Sequence, residues 1–189
     1  MYSRYLRAVL TGSLLLAWTA LAEPVPQGIS LGVERLQHVS FLGPTRAVTI
    51  AELAYQRRVG MEGFWRGVWL GGGARMSVPF TKSPFGLEAF VRTELQKQVG
   101  FWEPAVGIEL GMSQVATLRT GHGVPAGTVI DRETARLGPL YLAFNAAPLR
   151  FHVNNFQLSA LDLQVGAAGP PYGALVRLML NLLRVEVLL

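Results

Sequence analysis

The chain of 189 residues has no cysteine, which excludes disulfides, thiolate metal ligands and a lipid-bearing cysteine behind a leader. Its fold must stand on backbone pairing and packing. Histidine is nearly as scarce, and His38, His122 and His152 are dispersed without ligand spacing, so no metal centre or other cofactor is implied. Charged residues are only 15 % of the chain, and the basic ones fall as single arginines rather than a stripe, which argues against nucleic acid as a partner. Internal repeats and low-complexity tracts are absent. The Gly71-Gly72-Gly73 cluster lacks both the strand-to-helix context and the lysine of a phosphate loop, and fits a strand with close neighbours better.

Against these absences stands a hydrophobic fraction of 50 % and a mean hydropathy of +0.32, high for a soluble domain. Yet no segment after residue 22 holds the roughly 18 uninterrupted apolar residues that a spanning helix needs. Residues Met1 to Ala22 have the three parts of a secretory signal: Arg4 and Arg7, an apolar run from Ala8 to Leu21, and Ala20-Leu21-Ala22 before Glu23. The expected organisation is a signal peptide over residues 1–22 and one barrel domain over 23–189.

The stretch from Phe85 to Met112 shows where the apolar residues go. Phe85, Leu87, Ala89, Val91, Thr93 and Leu95 fall on one parity, and Gly86, Glu88, Phe90, Arg92, Glu94 and Gln96 on the other. After a turn at Gly100 the alternation resumes, with Trp102, Pro104, Val106, Ile108, Leu110 and Met112 opposite Glu103, Ala105, Gly107, Glu109, Gly111 and Ser113. A period of two on both arms defines a β-hairpin with one apolar face, long enough to cross a membrane as tilted strands of about 9 to 11 residues.

The same pattern runs through the rest of the chain. Ile29, Leu31 and Val33 open a first strand that reaches about Leu42, and Gly43-Pro44 turns it. In Arg46 to Arg58, Thr49 and Glu52 would suit a helix capping box, but Val48, Ile50 and Tyr55 favour a strand, the reading adopted here. Phe64 to Met76 is read as the third strand, and the hairpin supplies the fourth and fifth. Leu140, Leu142, Phe144 and Ala146 begin a sixth, whose parity restarts at Leu149 after Pro148, as a bulge would require. Asn154-Asn155 is a two-residue turn, since Asn tolerates positive φ, and a seventh strand runs from it to Ala167. The last, Ala174 to Leu189, places Val176, Leu178, Leu180 and Leu182 on one parity and Leu183, Val185, Val187 and Leu189 on the next.

The fold class that follows is all-β: an eight-stranded antiparallel up-and-down transmembrane barrel, whose first and last strands pair and leave no open edge. Short turns at Gly60 to Gly63, Gly100 and Asn154-Asn155 alternate with longer connections such as Leu118 to Gly138, and aromatics flank the short ones. In this pattern and topology, over nearly all of the chain after residue 22, the protein resembles the small eight-stranded outer-membrane barrels of the OmpA and OmpX type. The resemblance implies the outer membrane of a Gram-negative bacterium, contact with its lipid, and delivery by the barrel-assembly machinery. For that machinery the C-terminal strand is similar to the family's signal, with Leu183, Val185, Val187 and Leu189 at alternate positions, though Leu189 stands where an aromatic is usual.

The parity opposite the lipid would then line a narrow interior. It offers Glu88, Arg92, Glu94, Glu103, Glu109, Arg150, His152, Asp162 and Arg177, charges of both signs expected to pair and plug the lumen, with Arg92 the expected hub and Glu88, Glu103 and Glu109 its available partners. Some barrels of this size modify lipid A, which by resemblance implies a His and a Ser near the lipid boundary; His152, Ser159 and Asp162 are the local candidates, without the His-x-Ser spacing. A surface-interaction role would use the outer loops for an extracellular ligand. Chief among them is Leu118 to Gly138, with Arg119, His122, Asp131, Arg132, Glu133 and Arg136, though such charges also suit a merely solvated loop. The third alternative is a soluble lipocalin-like barrel, with its apolar parity inward around a ligand and its charged parity outward.

Overall fold

A computed structural model describes residues 25–40, 43–44, 46–60, 62–78, 85–118, 134–136, 140–168 and 176–189. The signal peptide expected over residues 1–22 lies outside them, as does most of the connection from Leu118 to Gly138. Eight antiparallel strands close into a barrel. They are β1 (Gln27–Ser40), β2 (Val48–Arg58), β3 (Val68–Ser77), β4 (Leu87–Gln96) and β5 (Ala105–Ser113), then β6 in two segments (Leu140–Ala147 and Arg150–Val153), β7 in two segments (Phe156–Ser159 and Asp162–Ala168), and β8 (Val176–Leu188). Each strand pairs with the next in sequence, and β8 closes on β1 from Gly28↔Leu188 to Val39↔Val176.

Closure matters because neighbours in the ring satisfy every strand edge, the condition for placing β-structure in hydrocarbon. The ambiguous segment is a strand: Val48 to Arg58 alternates buried and exposed residues, so tertiary pairing overrides the capping-box signal. The third strand begins later than the sequence pattern implies, because Gly63–Gly67 forms a 3₁₀ turn that carries Phe64 and Trp65 at the barrel's edge before β3 starts at Val68. β7 is also interrupted, at Ala160 and Leu161, where an unbroken strand was expected.

Two slips in the hydrophobic alternation correspond to real irregularities. β6 breaks at Pro148-Leu149, the site of the expected bulge. In β8 the register steps from Val33↔Leu183 to Glu34↔Asn181, which leaves Leu182 as the extra residue. That is why Leu182 and Leu183 both face outward. Gly100 and Asn154 hold positive φ in their turns, +63° and +54°, conformations that Gly and Asn adopt at least cost.

The short turns and the first residues of β1 share one end of the barrel, where the Leu189 amide donates to the Gln27 carbonyl and the Arg58 amide to that of Pro26. At the other end, Ala116–Leu118 and Thr134–Arg136 pair as a small hairpin within the longest connection, and Gly43–Pro44 folds back on β1.

The faces are inside-out relative to a soluble domain. Leu31, Val91, Ile108, Leu110, Leu142 and Phe144 are each more than half exposed, whereas Glu34, Glu52, Arg75, Glu88, Glu109 and Arg177 are at most 2 % exposed. A lipocalin needs the reverse, so the soluble-barrel alternative does not fit this chain. An apolar belt around a charged interior is stable only where lipid, rather than water, bathes the outside.

Candidate functional site

The interior is a stack of charged layers, built by the inward parity of all eight strands. Near its middle sits Arg75 of β3. Its Nε lies 2.9 Å from Glu34 and 2.8 Å from Glu52, Nη1 lies 2.6 Å from Glu88 and 2.7 Å from Glu109, and Nη2 lies 2.6 Å from Glu52 and 2.9 Å from Glu109. A guanidinium presents five donors in a fixed plane, so one arginine can serve four carboxylates where a lysine could not. The group also stacks 3.8 Å from the Phe90 ring centroid. Beside it the Tyr141 hydroxyl lies 2.7 Å from both Glu88 and Glu109, and Arg177 reaches Glu88 from β8 with two bonds of 2.7 and 2.8 Å.

The layer towards the short turns is a second exchange of charge. Arg92 lies 2.5 Å from Glu52 and 3.6 Å from Glu94, Arg150 lies 2.8 Å from Glu94, and Arg184 lies 3.2 Å from Asp162. Ser159 donates to Asp162. Nearest the short turns, His152 Nδ1 pairs with Glu103 at 2.9 Å and Gln157 donates to the same carboxylate at 2.7 Å, while Gln56 donates to both oxygens of Glu186.

Towards the opposite end, inward-facing Leu36, Val48, Ile50, Val115 and Met179 form an apolar layer over the charges. His38 Nδ1 lies 2.9 Å from the Thr117 hydroxyl beyond it. Space for side chains this large comes from small residues on facing positions: an added Cβ on Gly111 would run into the Tyr141 ring, and one on Gly71, the pairing partner of Arg92, would stand 2.7 Å from Gln56 Cβ. A cavity of about 20 Å³ is left beside Asp162, Gln164 and Asn181, room for about one water.

The structure thus brings Glu88, Arg92, Glu94, Glu109, Arg150, Asp162 and Arg177 into continuous inner layers, and places Glu103 and His152 at the mouth beside the short turns. It moves the hub. Arg75, which the sequence pattern did not single out, holds four carboxylates, whereas Arg92 pairs with Glu52 and Glu94, neither of them among the partners expected for it. Glu34, Glu52, Tyr141, Arg184 and Glu186 were also missed, although each sits on the inward parity of its strand and could have been found by carrying the alternation through. His152, Ser159 and Asp162 do not form a relay. His152 is bound to Glu103 and the Asn154 carbonyl, Ser159 to Asp162, and Asp162 to Arg184, with all three side chains on the lumen side rather than at the lipid.

No family model and no curated protein sequence matches the chain. Solved structures do. Neisserial surface protein A superposes with a TM-score of 0.60 at 11 % identity over 85 % of this chain and 96 % of that one. Ail, the attachment invasion locus protein of Yersinia pestis, solved with the heparin analogue sucrose octasulfate, gives a TM-score of 0.47 at 11 % identity over 87 % and 99 %. The first likeness agrees with the closed ring and the inside-out faces, and the fold is that of the small eight-stranded outer-membrane β-barrels of the OmpA and OmpX type.

Proposed function

We propose that the protein is a non-conducting barrel of the outer membrane of a Gram-negative bacterium, a rigid, plugged stem that serves a structural or surface-interaction role through its long connections. The observation that carries this reading is the Arg75 cluster with the apolar layer above it: four carboxylates converge on one guanidinium, and Leu36, Ile50 and Met179 cover them. An ion crossing such an interior would have to break bonds between charges that have no water to replace their partners. Export through the leader at residues 1–22, and insertion by the barrel-assembly machinery reading β8, complete the reading. The lipid A-modifying alternative is not favoured, because His152 and Ser159 are bonded to separate carboxylates. Single-channel recording in planar bilayers tests it. The plugged stem gives no steady conductance, whereas large, stable openings would make the protein a pore.

A further inference from the structure

The lumen takes acid out of proportion: seven buried glutamates and Asp162 face five arginines there, although the chain has 17 basic and 12 acidic residues. The exterior is left basic. Among residues whose side chains are described, five basic groups stand outside the lumen against the single acid Glu62, while Arg58, its Nε buried and its guanidinium over Trp69, stays at the lumen mouth. Arg57, Arg66 and Lys97 lie at the short-turn end, where water and headgroups begin. Arg35 and Arg46 are the two placed elsewhere.

Arg35 is the unusual one. It follows Ile29, Leu31 and Val33 on the outward parity of β1, is exposed, and pairs in register with Leu180 of β8 and Thr49 of β2. Eight residues of a tilted strand separate it from Gln27, about 20 Å along the barrel axis, close to the far boundary of an apolar belt of about 25 Å. Its Nη1 donates to the Thr49 hydroxyl at 2.9 Å, and no carboxylate among the described residues pairs with it. Arg46 precedes β2 just beyond that level and is exposed as well. A guanidinium on the lipid face is costly without a counter-charge, and the lipid boundary offers one: the phosphates of the headgroups.

We propose that Arg35, steadied by Thr49, binds the phosphate of an outer-leaflet glycolipid headgroup against the β1–β2 face of the barrel. This rests on the reading that the short turns face the periplasm. Thr49 fixes one edge of the guanidinium and leaves the remaining donors for the bidentate geometry that phosphate accepts.

The test uses the full-length folded protein in phosphatidylcholine vesicles containing either bisphosphorylated lipid A or its dephosphorylated form, extracted gently and weighed intact by native mass spectrometry. Wild type should retain the phosphorylated lipid, and Arg35→Leu about tenfold less, the size expected for losing one charge-assisted bond. Arg35→Lys should keep part of it. Equal retention by wild type and Arg35→Leu, or equal retention of the two lipids by wild type, would overturn the proposal and leave Arg35 as a side chain reaching for interfacial water. Gel migration of unboiled samples separates this from the fold: a variant that migrates as a folded barrel yet holds lipid like wild type removes the phosphate site alone. A wild type that never reaches the folded form removes both readings.

Discussion

Arg177 and Glu88 tie β8 to β4 straight across the barrel, since three strands separate them in either direction around the ring. Both side chains are fully buried, and the two bonds run in parallel at 2.7 and 2.8 Å with the Arg177 guanidinium 4.1 Å from the Tyr141 ring centroid. A bidentate pair of this kind constrains the diameter and the relative height of opposite walls, which hydrogen bonds between adjacent strands cannot do directly.

Removing one partner should therefore cost far more than removing both. Arg177→Leu leaves Glu88 short of its main counter-charge in a dry interior and is expected to destabilise the barrel by about 3 to 5 kcal/mol, while the double change Arg177→Leu with Glu88→Leu is milder. Reversible urea unfolding in lipid vesicles measures both. A double mutant as unstable as the sum of the singles would remove the coupling across the lumen.

Arg75→Leu should exceed Arg92→Leu in its effect, because Arg75 serves Glu34, Glu52, Glu88 and Glu109 whereas Arg92 serves Glu52 at close range and Glu94 at 3.6 Å. The readout is the urea midpoint. If Arg75→Leu fails to fold at all, the fraction of heat-modifiable protein recovered after refolding still ranks the two. Equal losses would contradict the assignment of the hub.

His152→Ala and Ser159→Ala should leave the lipid A of expressing cells unchanged by mass spectrometry, as in wild type, because neither residue can pass a proton to the other. Ser159→Ala should instead lower stability, by about 1.5 to 3 kcal/mol for one lost hydrogen bond to a charged group. A wild-type-specific change in lipid A that either substitution abolishes would restore the enzymatic reading.

The parts of this architecture visible in the sequence are those set by local alternation. The hairpin from Phe85 to Met112 declares both faces, and the slips at Pro148 and at Leu182-Leu183 mark where a strand carries an extra residue. The wiring of the lumen is another matter. Arg92 sits in register beside Glu109, yet Glu109 is held by Arg75 and Arg92 turns to Glu52 two strands away. Such choices depend on the stagger of the closed ring and on which large side chain finds a glycine opposite it, and neither is written along one strand. Arg75 itself is masked by Gly71-Gly72-Gly73, which breaks the alternation that would have revealed its parity.

The central claim is that the charged parity faces in and the apolar parity faces lipid, and the absence of cysteine makes it directly measurable. Nitroxide labels placed singly at Ile108→Cys and Ser113→Cys, five residues apart in the middle and at the end of β5, report opposite faces of one strand. Ile108 is 58 % exposed and Ser113 is 6 % exposed. In vesicles, the label at 108 should relax strongly with oxygen and weakly with a water-soluble nickel complex, as in hydrocarbon, and the label at 113 should be immobile and shielded from both. A label at 108 that meets the nickel complex freely, with oxygen-rich lipid found instead at 113, would turn the barrel inside out and contradict the account.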